Sequence, residues 1–262
     1  MHEVIQEPLG VRVEDLSVRA IGSSDVRWLR TLLADHGVII VPGQDIDDQA
    51  FVEFLRSFGE LTFSAGEQPL PDYPDLNLIS NVGRDRPPRS SFHIDTSYIS
   101  TPPAYTALRA VQIPQQGGQT LFTNQYYAYE TLPEEVRSRL AGRTITHVVT
   151  GIDPGPGEQT EAEHPVFRPH PVTGRVALYL STPRRCRSIS GLDPSESEKL
   201  IGYLLEHSTR EDNVYRHTWS AGDVVMWDNG CVLHRADHDG VIGDRVMHRG
   251  MVADYAGAGL RD

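Results

Sequence analysis

Two amphipathic segments near the start of the chain frame a short apolar run. Residues 25 to 36 (DVRWLRTLLADH) place apolar side chains at helical spacing, and Gly37 follows as a helix stop. Residues 38 to 41 are all apolar and are followed by a Pro-Gly pair, which is typical of a buried strand. Residues 48 to 58 again have helical periodicity. The pattern predicts a helix, a strand and a second helix.

The rest of the chain alternates short apolar or β-branched runs with turn-forming residues. Residues 63 to 89 are predicted to be mainly loop around a strand at 76 to 79, and residues 151 to 163 to be a mobile loop. Further strands are predicted at 104–111, 119–123, 144–149, 176–180, 214–219, 224–227, 231–233 and 245–252, and helices at 124–132, 133–140 and 195–207.

Many short strands with a few helices are typical of an α+β, mostly β fold. We therefore expect a double-stranded β-helix core (a jelly-roll, cupin-like sandwich) with flanking helices. No shift of composition marks a linker, so residues 1–262 are expected to form a single domain.

Composition is that of an ordinary globular protein. Charged residues make up 23% of the 262 residues and hydrophobic residues 39%, and no apolar run approaches the ~18 residues of a membrane span. The first residues lack the basic and apolar regions of a signal peptide. Two cysteines, Cys186 and Cys231, are too few for a disulfide framework and fit a reducing interior. We expect a cytoplasmic protein that has no membrane partner.

The formal net charge of -12 argues against a nucleic-acid partner, because phosphate binding requires a basic face. Two groups of arginines stand out from this acidic background: Arg184, Arg185 and Arg187, and then Arg245 with Arg249. Such a group is either a solvated basic patch or a receptor for a small anion, since a guanidinium matches a carboxylate in two hydrogen bonds. The pattern leaves both interpretations open.

The triplet His93-Ile94-Asp95 is the sharpest local indication of chemistry. On a strand, His93 and Asp95 would point to the same face. One imidazole and one carboxylate supply two of the three ligands of a facial two-histidine, one-carboxylate iron site. Alone the triplet is weak, because such triplets also arise by chance.

A third ligand is predicted near the C-terminus. His234 and Arg245 lie eleven residues apart, and the midpoint falls at an Asp-Gly pair, a favoured tight-turn sequence. A hairpin folded at that pair would place His234 and Arg245 opposite one another on neighbouring strands. A metal ligand and a carboxylate clamp would then face one cavity, which suits a chelating 2-oxo acid.

Four stretches of the chain carry a resemblance to a known family. They read FHIDTSYISTPPAYTAL, IPQQGGQTLFTNQYYAYETLP, GDVVMWDNGCVLHRADHD and RVMHRGMV, in this order. The chain resembles, from about Leu29 to Val252, the taurine and chlorophenoxyacetate dioxygenase family of Fe(II)/2-oxoglutarate-dependent oxygenases. The resemblance implies a jelly-roll sandwich whose rim holds Fe(2+), with 2-oxoglutarate as co-substrate and O2 as oxidant.

Motif positions imply the residues of the site. His93, Asp95 and His234 match the metal ligands, which form the catalytic centre, and Thr120 and Arg245 match the partners of the 2-oxoglutarate carboxylates. The implied reaction is oxidation, typically hydroxylation, of a small organic substrate with release of succinate and CO2. Asp95 stands where related halogenating enzymes have a small residue, which favours hydroxylation. Family members often form dimers or tetramers, so a homo-oligomer is compatible with the resemblance.

The substrate side departs from the taurine enzymes. Those enzymes have a histidine and a tyrosine in the stretch that here reads Thr62 to Glu67, and an asparagine where this chain has Arg89. Arg249 matches the arginine that grips the taurine sulfonate, and is predicted either to anchor an anionic group or to form a structural salt bridge. Phe92, beside the first ligand, is predicted to line the pocket or to join the sandwich core. Arg249, Arg89 and Phe92 form the predicted substrate-binding set, for a carboxylate or another anion.

Two other interpretations stay open on the residues alone. A zinc-dependent hydrolase or isomerase on the same jelly roll would use the same three ligands, but it leaves Arg245 and Thr120 without a shared role. A non-catalytic binding module would keep the fold without the reaction, but the complete set of ligands and clamp argues against it.

Overall fold

Strands make up most of the regular structure in the computed structural model, which describes residues 2–6, 9–83 and 90–255. The strands are β1 (His2–Gln6), β2 (Leu9–Val13), β3 (Val38–Val41), β4 (Leu61–Thr62), β5 (Pro69–Leu70), β6 (Tyr73–Ser80), β7 (Tyr105–Gln112), β8 (Thr120–Asn124), β9 (Thr144–Val148), β10 (Glu161–Pro165), β11 (Phe167–Pro169), β12 (Val176–Leu178), β13 (Cys186–Ile189), β14 (Val214–His217), β15 (Val224–Asp228), β16 (Val232–Ala236) and β17 (Val246–Val252). The helices are α1 (Ser23–His36), α2 (Asp48–Ser57), α3 (Gln125–Glu130), α4 (Glu134–Leu140) and α5 (Pro194–Ser208). None of the helices in these ranges has the length and apolar character that a membrane crossing requires.

A nine-stranded sheet forms one wall of the structure. Its order is β1-β2-β3-β15-β7-β17-β6-β5, with β4 paired to β17. A three-stranded sheet, β14-β8-β16, packs on it through the apolar cluster that contains Phe122 of β8 and Trp227 of β15. Two further small sheets are β10-β9-β13 and β11-β12. Two layers of mainly antiparallel strands with helices outside confirm the predicted jelly-roll core.

Strand β3 shows how the two layers and the helices share the core. Ile39 and Val41 pack in one apolar cluster with side chains of α1 and α2, whereas Val38 and Ile40 point into a second cluster that contains Phe122 of β8. Side chains alternate along a strand, so a strand covered on both faces is apolar at every position. The apolar run predicted as a buried strand is therefore confirmed.

A third apolar cluster anchors the segment that carries the first two site residues. Ile94 is 1% exposed and packs in this cluster with side chains of β9, β12, β13 and α5. Because Ile94 points into the cluster, its neighbours His93 and Asp95 are directed to the other side. His93 forms an isolated bridge rather than part of a longer strand, so the expectation of a regular strand there is corrected.

Several short strands differ from the sequence-based expectations. Residues 63 to 83 contain β5 and a longer β6, and the predicted loop at 151 to 163 ends inside β10, which pairs with β9. The strands β1, β2, β11 and β13 were not predicted either. Sequences such as EAEHP and CRSI lack apolar alternation, because partner strands rather than local composition stabilise them.

His147 on β9 is a buried histidine that cannot easily carry a proton. Neither of its ring nitrogens has a hydrogen-bond partner among the described residues, and its ring lies edge-on to His164 at 5.2 Å between centroids. The ring also packs on Tyr179. Burial lowers the pKa of His147 from 6.5 to about 3.

The lowered pKa of His147 predicts that the protein loses stability in acid. The unfolded chain takes up a proton on His147 near pH 6.5, whereas the folded chain does so only near pH 3. The contribution of His147 to stability is therefore fully present above pH 6.5 and is lost as the pH falls from 6.5 towards 3. We expect His147→Phe to make the free energy of unfolding less dependent on pH between 6 and 4, by up to about 1.4 kcal/mol per pH unit. Urea unfolding at a series of pH values measures this pH dependence.

Tyr179→Phe is the matched control, because it changes the same cluster without removing a group that titrates in this range. It should keep the slope of the unmodified protein. If His147→Phe also keeps that slope, His147 is not the group responsible.

Candidate metal and co-substrate site

A pair of backbone hydrogen bonds joins two distant parts of the chain at the site. The amide of His93 donates to the carbonyl of His234, and the amide of His234 donates to the carbonyl of His93, both at 3.0 Å. His234 lies on β16, whose position is fixed by pairing with β8. Residues that face one another in an antiparallel bridge have adjacent side chains, and the two imidazole centroids are 4.3 Å apart.

Asp95 completes a compact group of three side chains. Its Oδ1 is 3.7 Å from Nε2 of His93, and its Oδ2 is 3.6 Å from Nε2 of His234. One nitrogen or oxygen from each residue lies within 4.8 Å of the others. Two imidazoles and one carboxylate in this arrangement form a set that a single divalent ion can bind on one face.

The hydrogen bonding and charge around these side chains suit a metal. The Nδ1 of His93 lies 2.8 Å from the carbonyl of Ser91, which assigns the proton to Nδ1 and leaves the Nε2 lone pair for a ligand bond. Burial lowers the pKa of His234 to about 3, so this imidazole is neutral. Burial opposes ionisation of Asp95, yet the Arg249 guanidinium beside it holds the pKa of Asp95 well below its usual value. Neutral histidines and an ionised carboxylate are the forms that bind metal.

Two buried polar residues orient the Asp95 carboxylate. The hydroxyl of Thr106 on β7 donates to Oδ2 of Asp95 at 2.9 Å, and Asn229 Nδ2 donates to the Thr106 hydroxyl at 2.8 Å. Neither role was predicted from the sequence. Asn229 lies in a family motif that precedes His234, whereas the one sign at Thr106 is a polar residue within the otherwise apolar start of β7.

Arg245 and Thr120 lie in the same cavity as the two histidines. The Nε of Arg245 donates to the carbonyl of Gly118 at 2.8 Å, and its Nη2 donates to the Thr120 hydroxyl at 3.2 Å. Burial lowers the pKa of Arg245 to about 10, so it is charged at neutral pH. Within the described ranges no carboxylate forms a salt bridge with it, which leaves a buried positive charge facing the cavity.

The predicted hairpin between His234 and Arg245 is wrong. Strand β16 pairs with β8 in the small sheet, whereas β17 lies between β7 and β6 in the large sheet. The turn at Asp239 and Gly240 is present, but it belongs to a segment that crosses from one sheet to the other. The two side chains converge because the sheets face each other across the cavity.

Arg249 also lines the cavity, but each of its nitrogens has a partner in the protein. Nε donates to Asn77 Oδ1 at 3.0 Å, Nη1 donates to Asp95 Oδ1 at 3.3 Å, and Nη2 donates to Glu67 Oε2 in a short contact. Of the two roles predicted for Arg249, the structure shows the buried salt bridge. Glu67 belongs to the stretch that departs from the taurine enzymes.

Of the other two predicted substrate residues, the structure describes Phe92. Phe92 is not among the described residues that line the cavity; its ring packs on the third apolar cluster, with the guanidinium of Arg235 at 5.4 Å. Arg89 lies outside the described residues. Of the first arginine group, Arg184 and Arg185 line the cavity, whereas Arg187 is exposed and paired with Glu161 at 2.7 Å.

A second group of potential ligands is structural. Asp228 Oδ2 pairs with Nε2 of His170 at 3.0 Å, and its Oδ1 accepts from the amide of Gly230 and the hydroxyl of Tyr255. Cys231 completes this buried group. These contacts fix the turn between β15 and β16, so Asp228 acts here as a turn residue.

Comparisons with known proteins agree with this geometry. A family model described as "Taurine catabolism dioxygenase TauD, TfdA family" matches residues 4–251. An alpha-ketoglutarate-dependent 2,4-dichlorophenoxyacetate dioxygenase of Cupriavidus pinatubonensis is 32% identical, over 93% of this chain and 94% of the relative.

Two solved structures have the same fold. A taurine dioxygenase from Burkholderia xenovorans is 31% identical with a TM-score of 0.85, over 97% of this chain and 91% of that one. AAD-2 in complex with Mn(II) and N-oxalylglycine is 25% identical with a TM-score of 0.84, over 97% of each chain. The chain therefore belongs to the taurine catabolism dioxygenase TauD, TfdA family and is a 2-oxoglutarate-dependent dioxygenase.

Proposed function

We propose that this dioxygenase binds Fe(II) through His93, Asp95 and His234, binds 2-oxoglutarate through Arg245 and Thr120, and hydroxylates a small anionic substrate. The observation that carries the proposal is the meeting, at one site, of two imidazoles and a carboxylate in a metal-binding arrangement with a buried guanidinium that has no carboxylate partner among the described residues. Bound iron and 2-oxoglutarate would together activate O2, with succinate and CO2 as co-products.

Arg245 and Thr120 are arranged to hold a carboxylate. The Thr120 hydroxyl oxygen accepts hydrogen bonds from Arg245 and from Trp219 Nε1, the latter at 3.1 Å. A hydroxyl that accepts twice keeps its own hydrogen free to donate. The free hydrogen of Thr120 and the guanidinium of Arg245 therefore provide adjacent donors for the far carboxylate of 2-oxoglutarate.

An anionic substrate is supported by the relatives and by the cavity. Dichlorophenoxyacetate is a carboxylate and taurine a sulfonate, and both give their names to relatives of this chain. The cavity has a volume of about 550 Å³ and is lined by four arginines. This volume lies within the range of small-molecule sites, and the lining favours negative charge.

The two competing readings account for less of the site. A zinc hydrolase or isomerase would leave Arg245 and Thr120 without a common ligand, and a binding module would leave the three ligand side chains without a function.

We also propose that residues 1–262 form one domain, and that the protein is cytoplasmic and acts on small molecules rather than on nucleic acid. Two free, buried cysteines and the acidic net charge support it.

The metal assignment is tested by anaerobic titration with Fe(II) and then with 2-oxoglutarate. We expect the weak visible charge-transfer band of the iron chelate in the unmodified protein and its loss in His93→Ala, because a ligand is missing. His207→Ala, which changes a histidine outside the site, should keep the band. Chelator treatment should abolish O2 uptake, and added Fe(II) should restore it. If iron binds without a band, 2-oxoglutarate does not chelate it and the hydrolase reading takes precedence.

Arg245→Gln tests the co-substrate clamp. We expect a 10- to 100-fold rise in the Kd of 2-oxoglutarate, since hydrogen bonds to a charged group contribute about 1.5–3 kcal/mol. Iron affinity should change little. Arg216→Gln, which removes an exposed arginine paired with Glu211, is the control and should bind 2-oxoglutarate normally. Equal Kd values for both variants would contradict the clamp assignment.

Gly118→Ala tests the same clamp from its backbone side. Gly118 has a φ of +73°, and a Cβ there would lie 3.0 Å from Cδ of Arg245 and 2.9 Å from Cγ of Pro114. Gly142 has a φ of +72°, but a Cβ there would meet nothing within 4 Å. Both alanines impose similar backbone strain, on the order of 1 kcal/mol. Gly118→Ala alone should raise the KM for 2-oxoglutarate; the same KM in both variants would show that Arg245 tolerates the contact.

A further inference from the structure

The four arginines of the cavity differ in what they already bind. Arg245 belongs to the proposed co-substrate clamp, and the nitrogens of Arg249 are all engaged by Asn77, Asp95 and Glu67. Arg184 is exposed. Arg185 is half-buried, and no carboxylate in the described part of the chain forms a salt bridge with it.

Arg185 is held beside the metal ligands by neutral partners. Its Nη1 donates to the carbonyl of Ile94 at 3.2 Å, and its Nε donates to the Thr150 hydroxyl at 3.3 Å. Ile94 lies between His93 and Asp95 in the chain. These contacts place Arg185 next to the proposed reaction centre, and its Nη2 has no hydrogen-bond partner among the residues that the structure describes.

Thr150 supplies a second donor next to Arg185. Its hydroxyl oxygen accepts from Arg185, which leaves the hydroxyl hydrogen free to donate, and both residues line the cavity. The same combination occurs at Arg245 and Thr120. The cavity therefore contains two arginine–threonine pairs, of which 2-oxoglutarate requires one.

We propose that Arg185 and Thr150 bind the carboxylate of the substrate, and that Arg249 is a positioning residue fixed by Glu67 and Asp95. Two adjacent donors match the two oxygens of a carboxylate. A sulfonate gripped by Arg249 would have to displace Glu67, and that cost opposes taurine-like binding. This inference rests on the proposed function and names its substrate class and its anchor.

The test uses the full chain loaded anaerobically with Fe(II) and 2-oxoglutarate. Calorimetry measures the binding of 2,4-dichlorophenoxyacetate, hexanoate, hexanesulfonate and hexyl sulfate, and of the primary amides of the two carboxylates. We expect at least one carboxylate to bind the unmodified enzyme more tightly than its amide. In Arg185→Gln its affinity should fall at least tenfold with the amide unchanged, and Arg185→Lys should restore part of the preference.

Arg187→Gln is the matched control, since Arg187 lies two residues away and is paired with Glu161 outside the cavity. It should bind each carboxylate and each amide with the affinity of the unmodified enzyme. The visible band of the iron chelate should persist in every variant, which shows that each one is folded and loaded.

Three results would overturn the inference while the band persists. They are unchanged carboxylate affinity in Arg185→Gln, preferential binding of the sulfonate or sulfate by the unmodified enzyme, and no binding of any anion. Absence of the band from the unmodified enzyme would instead overturn the proposed function.

Discussion

The bridge between His93 and His234 is the contact on which the site depends. It joins an irregular segment to a strand of the small sheet, and it sets the distance between two imidazoles that are remote in sequence. Two backbone hydrogen bonds contribute only about 1 kcal/mol each, so the bridge depends on the structure around it to stay formed. The pairing of β16 with β8 holds one side of it, and the burial of Ile94 in the third apolar cluster holds the other.

Charge balance explains how the ligand group can be buried. An isolated carboxylate such as Asp95 would be costly at 3% exposure, but Thr106 and Arg249 both donate to it. Glu67 in turn compensates Arg249, and burial raises the pKa of Glu67. When ionised, Asp95, Arg249 and Glu67 together leave one net negative charge, and a divalent ion attracted to that charge meets ligands that are already oriented.

Local patterns were sufficient for most elements, and family motifs supplied the proposed ligand set. The strand Val38–Val41 and the helix Ser23–His36 follow from apolar periodicity, and His93, Asp95 and His234 were identified from short motifs whose members the structure brings together. What local patterns did not predict depends on which strands pair. The strands β16 and β17 looked like a hairpin because a turn separates them, yet they belong to different sheets.

The same limit applies to individual side chains. Nothing near Thr106 in the sequence indicates that it faces Asp95, because β7 and the segment after residue 90 meet only in the folded chain. The engagement of Arg249 by Glu67 is likewise a contact between remote segments. Motif matching therefore pointed to an arginine that does line the cavity, but the sulfonate-binding role of its counterpart in the taurine enzymes does not follow from the match.

The two arginine–threonine pairs differ in how rigidly they are held, and this difference follows their proposed tasks. Arg245 is 2% exposed, and its partners Gly118 and Thr120 belong to the opposite sheet or its edge, so its position depends on the whole sandwich. Arg185 lies in a turn before β13 and is half-buried. A co-substrate of constant shape suits the rigid pair, whereas an anchor on a turn can shift with substrate size while the metal ligands stay in place. Changes in the turn at 182–185 should thus alter substrate choice before they alter iron or 2-oxoglutarate binding.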